Sequence, residues 1–281
     1  PTVRIAHIDR GNATAPLFEG AARVSIATRT ARLLFHGKEP PPMEWLVDRT
    51  FPYGRGGTFA AAGGAGKGML MLDLAVKIAM DKAAGGFDAN PLTAFGHEIV
   101  KTGHVAILSA EDDEAEIHRR LMSIYPNLPD HVWDRLHIMC YPDIIGRDSI
   151  LLQGEVGDVK PTQELVDVVN DLKEIPNLRL TVFDPLHACA NVNLIDPGSA
   201  QIVGNTFDKI AKTLSCTTIA SHHFTKGDRK APIQSASDAR HSIGGAGQLL
   251  NAMRFAYAMW QVPDDHAQRV MRTLDREHTE N

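Results

Sequence analysis

The segment Thr58-Phe59-Ala60-Ala61-Ala62 reads as a short buried strand. Gly63-Gly64-Ala65-Gly66-Lys67 follows it directly and opens a helix that runs to about Asp81. No other feature constrains the fold as much. Glycines between a strand and a helix let backbone N–H groups turn inward. The helix N-terminus adds positive potential, and a lysine at the loop's end reaches the outer phosphates of a nucleotide. The full pattern is G-x-x-x-x-G-K-[ST]. Ala61 takes the first glycine's place, which a strand end tolerates. Gly68 stands where a Ser or Thr hydroxyl would ligate Mg2+, and water can fill that place at some loss of affinity. The candidate nucleotide-binding residues are therefore Gly63, Gly64, Ala65, Gly66, Lys67, Gly68 and Met69, with ATP and Mg2+ as the expected ligands. A glycine turn without a ligand is the plain alternative.

From this loop onward, strands and helices alternate. His104–Ser109, Leu136–Met139, Leu178–Phe183 and Thr217–Ser221 read as strands. Between them, Ile117, Leu121 and Ile124 lie on one face of a helix, as do Leu165, Val169 and Leu172 in a helix near 161–174. A further helix is expected near 199–214. Strands separated by helices of this length require crossovers, so the expected class is α/β, with a mostly parallel central sheet flanked by helices. Met253–Val262 and Arg269–Leu274 flank Pro263-Asp264-Asp265 and read as a C-terminal antiparallel hairpin. Residues 1–42 lack a steady period. Ala21–Leu34 fits a short helix, and Lys38-Glu39-Pro40-Pro41-Pro42 breaks it. The expected division is an N-terminal arm or linker over 1–42 and one domain over 43–281.

Three strand ends carry chemistry. In open α/β sheets, ligands bind beyond the carboxyl ends of the strands. Glu111, after Leu108-Ser109-Ala110, can orient and deprotonate water; alternatively, Glu111 to Glu114 suit the first turn of a helix. Asp184 closes the apolar run Leu180-Thr181-Val182-Phe183, the pattern of a carboxylate that holds Mg2+; alternatively it starts a turn before Pro185. His222 and His223 end the next strand. They fit a phosphate sensor, or alternatively a zinc or core histidine pair, though being adjacent on a strand they point different ways and suit a bidentate metal site poorly.

Taken in order, these segments resemble the RepA-type hexameric replicative helicases, within the wider RecA-like P-loop ATPases. The matching residues are Gly63 to Lys67, Ala110-Glu111-Asp112 with Ile117-His118-Arg119-Arg120-Leu121, Asp184, and the His222-His223 segment with Lys226-Gly227. Ser242 to Arg254 matches as well. The resemblance covers about 45–276 and implies a RecA-like P-loop NTPase core. It implies that Lys67 binds phosphate, Glu111 is the catalytic carboxylate and Asp184 serves Mg2+. It also implies that His223, or less readily His222, senses the γ-phosphate. Arg254 becomes a finger arginine that reaches the nucleotide of the next subunit, with Lys226 assisting. A finger works only in an oligomer, so a ring, a hexamer in that family, follows from the resemblance. Residues 225–242 carry Lys226, Arg229, Lys230, Arg240 and His241 among small polar residues. They are expected to form a mobile loop that lines the channel for single-stranded DNA, or else a solvated loop. Gly68 departs from the family pattern and leaves a slow or degenerate ATPase, or a nucleotide-switched binding protein, as the alternative. A small-molecule kinase shares the phosphate loop but not the paired histidines or the late arginine.

Composition bounds the rest. The chain has 281 residues, 43% hydrophobic and 22% charged, which is ordinary for a globular protein and excludes disorder or a collagen-like repeat. Its net charge of −5 gives no global basic signal, so any nucleic-acid patch must be local. Three widely spaced cysteines, Cys140, Cys189 and Cys216, fit neither a disulfide framework nor a zinc site and suit a reducing cytoplasm. No apolar run is long enough to span a bilayer, so no membrane partner is expected. The sequence begins at Pro1 rather than Met. Either the Met was removed or the sequence is a piece of a longer chain, such as the ATPase part of a primase–helicase.

Overall fold

The computed structural model describes residues 25–80, 92–224, 233, 235–243, 245 and 247–260. By its internal contacts the chain divides into two units, Pro1–Met43 and Glu44–Asn281. In the first unit, a 3-10 turn over Ile26–Thr28 precedes a short helix α1 (Ala31–Phe35). The helix expected across 21–34 is interrupted because the hydroxyl of Thr30, on extended backbone, accepts from the Leu33 N–H at 3.2 Å and starts a new helix there.

In the second unit, β1 (Trp45–Val47) and β2 (Phe51–Pro52) pair antiparallel ahead of β3 (Gly56–Ala61). The glycine loop then leads into α2 (Lys67–Ala79), and β4 (Thr93–Ala94) and β5 (His97–Glu98) form a second small antiparallel pair. Next come β6 (His104–Ser109), α3 (Glu114–Ile124), α4 (Asp130–Trp133) and β7 (Leu136–Cys140). An antiparallel hairpin of β8 (Leu152–Glu155) and β9 (Asp158–Pro161) precedes α5 (Gln163–Lys173) and β10 (Leu178–Asp184). After β10 come α6 (Leu186–Cys189), β11 (Ala190–Asn191), α7 (Pro197–Leu214) and β12 (Thr217–His223). The last described elements are α8 (Ala236–Ser242), α9 (Gly247–Ala252) and β13 (Phe255–Met259).

The central sheet has six strands in the order β13-β3-β12-β10-β6-β7, and every pair in it is parallel. Its inner strands read as near-continuous apolar runs because both faces are covered. Val182 and Phe183 show this on β10. Val182 joins the α2 side of the core with Met71, Leu74 and Ile78. Its neighbour Phe183 turns to the other face and meets Phe207 of α7 edge to face, with centroids 5.2 Å apart. Burying each such side chain contributes about 1.5–3 kcal/mol. Buried hydroxyls between the strands satisfy one another or a carbonyl: Thr58 donates to Ala220 O at 2.7 Å, and Thr181 and Thr218 lie 2.8 Å apart. On β3, Gly56 lets α7 approach closely, since a Cβ there would stand 2.6 Å from the backbone of Phe207 and Asp208.

Helix starts follow their caps. Asp113 accepts from the Glu116 N–H at 2.7 Å, Thr162 from Leu165 at 3.3 Å, and Asp196 from Ser199 at 2.7 Å with Pro197 at the first position.

Of the expected C-terminal antiparallel hairpin, only the first arm falls among the described residues. That arm is β13, which pairs parallel with β3, Phe255 opposite Gly57 through Met259 opposite Ala61. An apolar strand pattern is the same for either direction, and the edge of β3 was open to it. The second arm, 269–274, lies outside the described residues. The expected loop over 225–242 is corrected in part. Residues 236–242 form α8, capped by the Ser235 hydroxyl on the Asp238 N–H at 3.1 Å. Lys226, Arg229 and Lys230 lie outside the described residues. No described helix is long and apolar enough to cross a membrane.

Candidate functional site

Four neighbouring strands, β3, β12, β10 and β6, run parallel, so their carboxyl ends meet at one edge of the sheet. The glycine loop leaves β3 there. Asp184 ends β10, Ser221 to His223 end β12, and Glu111 follows β6. The Ala110 N–H donates to Asp184 O at 2.8 Å and ties the ends of β6 and β10 together.

The loop has the backbone its sequence requires. Gly64 (φ 74°) and Gly66 (φ 91°) are left-handed, where a side chain is strained. Gly66 is the residue before α2, and no side chain caps that helix, so its first-turn N–H groups stay available to an anion. Nothing lies within 4 Å of a Cβ placed on Gly63, Gly64 or Gly66, so the space above the loop is open.

Lys67 is buried beneath it. Its Nζ donates to Asp184 Oδ1 at 2.6 Å and to Ser221 Oγ at 2.7 Å, and Ser221 Oγ donates to the same carboxylate oxygen. Asp184 Oδ2 takes none of these bonds and faces Gly68, at 3.8 Å from a Cβ built there. That oxygen fits a magnesium ligand, since Mg2+ is commonly held by one or two carboxylates together with substrate phosphates. Gly68 itself adds no oxygen. The Arg120 guanidinium stands 3.1 Å from the same Cβ point. Arg120 is held by Asp112 at 2.5 and 3.1 Å and by Glu116 at 2.8 Å. Burial alone would lower its pKa, but the Asp112 and Glu116 carboxylates outweigh that and raise it.

These groups enclose a cleft of about 280 Å³ lined by Gly64, Gly66, Lys67, Gly68 and Met69, with Glu111, Asp112, Arg120, Asp184 and His223 across from them. Glu111 lies outside α3, whose cap is Asp113, so it is a lip residue rather than part of a first helical turn. Its Oε1 is 3.1 Å from His187 Nε2. Burial, then the charges of Lys67 and His187, hold the His223 imidazole below its usual value and favour its neutral form.

Not every candidate gathers here. Gly63 and Ala65 are exposed in the loop but do not line the cleft. His222 is buried opposite Ala60 and faces away from His223, as alternation on a strand demands. Arg254 lies at the opposite end of the sheet. Its N–H donates to Gly56 O at 2.9 Å, at the start of β3, and its Nε is 3.4 Å from Asp208 Oδ2. Lys226 lies outside the described residues. Sequence reading gave no role in the site to Ser221, Arg120 or His187. Arg120 left a trace in the Arg119-Arg120 pair, and a lone Ser or His inside an apolar strand or helix leaves none.

The three cysteines do not contribute. All are free and buried, and burial first of all pushes the Cys189 thiol up to about 12 and those of Cys140 and Cys216 to about 11.

A parallel sheet with a glycine loop, a buried lysine and a carboxylate on the neighbouring strand ends defines a P-loop nucleoside triphosphatase. The family model described as an AAA domain (AAA_25) matches residues 24–229, most of the chain, and the chain belongs to that family of AAA-type P-loop ATPases. The match stops before α8, α9 and β13.

Proposed function

We propose that the chain is the motor of a ring-forming DNA helicase or translocase of the RepA type, acting in plasmid, phage or mobile-element replication. Its ATP is hydrolysed between neighbouring subunits. The observation that carries this reading is the separation of Arg254 from its own cleft. Arg254 starts β13 beside Gly56, while the glycine loop follows the other end of β3. Six residues of strand separate them, about 20 Å at 3.3 Å per residue. An arginine there is suited to the nucleotide of an adjoining copy. The order of the motifs supports the same reading.

In this account the backbone N–H groups around Gly64 and Gly66 bind the phosphates, and Lys67 turns from Asp184 to the phosphate oxygens. Glu111 takes the proton of the attacking water, which lowers the cost of its attack. Neutral His223 donates its ring N–H to the terminal phosphate and carries its presence or absence into the residues after β12. Magnesium, if bound, would be held by Asp184 and would neutralise phosphate charge. Arg254 of a neighbour stabilises the charge that develops in transfer, an effect worth about 10³–10⁵ in turnover in other nucleotidases. Residues 1–42 serve as a connecting arm, and 225–235 contact the single-stranded DNA backbone.

The second reading is a nucleotide-switched DNA-binding ATPase with little turnover, and Gly68 favours it. ATP hydrolysis measured with and without single-stranded DNA, beside strand displacement on a forked duplex, separates the two. DNA-stimulated hydrolysis with displacement supports the motor. Nucleotide binding without turnover supports the switch.

A further inference from the structure

The lip of the cleft carries a cluster that hydrolysis uses only in part. Glu111 follows β6, His187 sits in α6 just after β10, and His223 ends β12, so the three converge through the parallel sheet. Glu111 Oε1 is 3.1 Å from His187 Nε2, and the His187 and His223 rings meet edge to face with centroids 5.1 Å apart. One ligand atom from each residue lies within 4.8 Å of the other two. Two imidazoles and one carboxylate are the donor set of a transition-metal site. Mg2+ and Ca2+ prefer oxygen ligands and compete poorly for it.

In four-coordinate zinc, with bonds of about 2.0–2.1 Å, neighbouring ligand atoms stand roughly 3.4 Å apart. The three groups therefore close by up to roughly 1.4 Å from their 4.8 Å spread to bind. They are free to do so, because the side chains of His187 and Glu111 are 48% and 50% exposed. The ammonium of Lys67 in the same cleft is offset by Asp184 at 2.6 Å.

We propose that Glu111, His187 and His223 bind one divalent ion of the zinc type at the mouth of the nucleotide cleft, and that this ion arrests turnover. Ligation occupies the carboxylate that would accept the water's proton and the imidazole that would face the terminal phosphate. Water fills the fourth position. The arrest rests on the roles given above to Glu111 and His223, whereas the binding does not.

The test is titration of the whole chain, stripped with a chelator and free of nucleotide, with ZnCl2 in a calorimeter. Co2+ titration, followed by its visible absorption, reports tetrahedral ligation. The expected result is one zinc per chain, with affinity falling at least about 10-fold in His187→Ala, His223→Ala and Glu111→Gln. His137→Ala is the control. His104 and His137 also pair, at 2.9 Å, but they spend those nitrogens on each other and no third ligand joins them among the described residues. Absence of saturable binding overturns the site. So does binding that His187→Ala and His223→Ala leave unchanged, or that His137→Ala abolishes. With one equivalent of zinc, ATP hydrolysis is expected to fall in the native chain and not in His187→Ala; hydrolysis indifferent to bound zinc overturns the arrest. Zinc binding in a chain that hydrolyses no ATP refutes the hydrolytic roles and keeps the site.

Discussion

Lys67 Nζ lies 2.6 Å from Asp184 Oδ1, and Ser221 bonds to both, so the loop, β10 and β12 are fastened at one buried point. The lysine that binds phosphate is thus also a structural partner. Its side chain is 8% exposed and that of Asp184 19%. Lys67→Ala is expected to abolish ATP binding and to cost about 2 kcal/mol of stability, because it leaves a nearly buried carboxylate short of a cation. Equilibrium urea unfolding beside a nucleotide-binding titration checks both. A stable Lys67→Ala that binds ATP normally contradicts the role.

Gly68→Ser tests the departure from the usual loop. Its φ is ordinary, so the change is free of backbone strain and gains about 0.5 kcal/mol of helix propensity. The new Cβ would meet Arg120 Nη1 at 3.1 Å, and a guanidinium at the end of a long side chain can move aside. The hydroxyl then stands near Asp184 Oδ2. The expected outcome is a lower Mg2+ concentration for half-maximal turnover, with a melting temperature equal to or slightly above that of the native chain.

Gly66→Ala acts through the backbone. Nothing crowds a Cβ there, but φ is 91°, so the cost is conformational, about 1–2 kcal/mol. Weaker ATP binding is expected together with a lower melting temperature. Gly63→Ala, whose Cβ is equally uncrowded and whose φ is not positive, should change stability by less than about 0.5 kcal/mol.

Asp208 governs acid stability at the other end of the sheet. Burial raises its pKa, but the Lys212 hydrogen bond, the Gly56 N–H and the charges of Lys212 and Arg254 prevail, and the carboxyl lies below its ordinary 3.8. A carboxyl depressed in the folded state stabilises fully above its unfolded value and loses that contribution as pH falls through its folded value. Asp208→Asn is therefore expected to be less stable than the native chain at pH 6–7, by about 1–2 kcal/mol, with the gap closing below about pH 4. Unfolding free energies at pH 7, 5 and 3 check this, and a gap independent of pH contradicts it.

The alternation of strands and helices was legible from the first glycine onward because each central strand is buried on both faces and each flanking helix on one. Lys67, Asp184, Glu111 and His223 were legible as strand-end residues for the same reason. What escaped was adjacency across the sheet. Ser221 meets Lys67 only because β12 lies between β3 and β10, and the order of strands is not written in any local pattern. His187 joins Glu111 because α6 turns back after β10 toward the end of β6. The short strands β1, β2, β8 and β9 hold two to four residues each, too few to show a period. Which strand β13 joins depended on which edge of the sheet remained open.

Hydrolysis between subunits is tested most directly by mixing two inactive chains. Arg254 is 57% exposed on its side chain and makes one long contact to Asp208, so Arg254→Ala should fold normally and bind ATP without turning it over. Lys67→Ala should fold and present its Arg254, but neither bind nor hydrolyse ATP. In a mixed assembly some interfaces pair an intact Lys67 cleft with an intact Arg254, and DNA-stimulated ATP hydrolysis is expected to return to a measurable fraction of the native rate. A mixture as inactive as its parts, or an Arg254→Ala chain as active alone as the native one, contradicts the account.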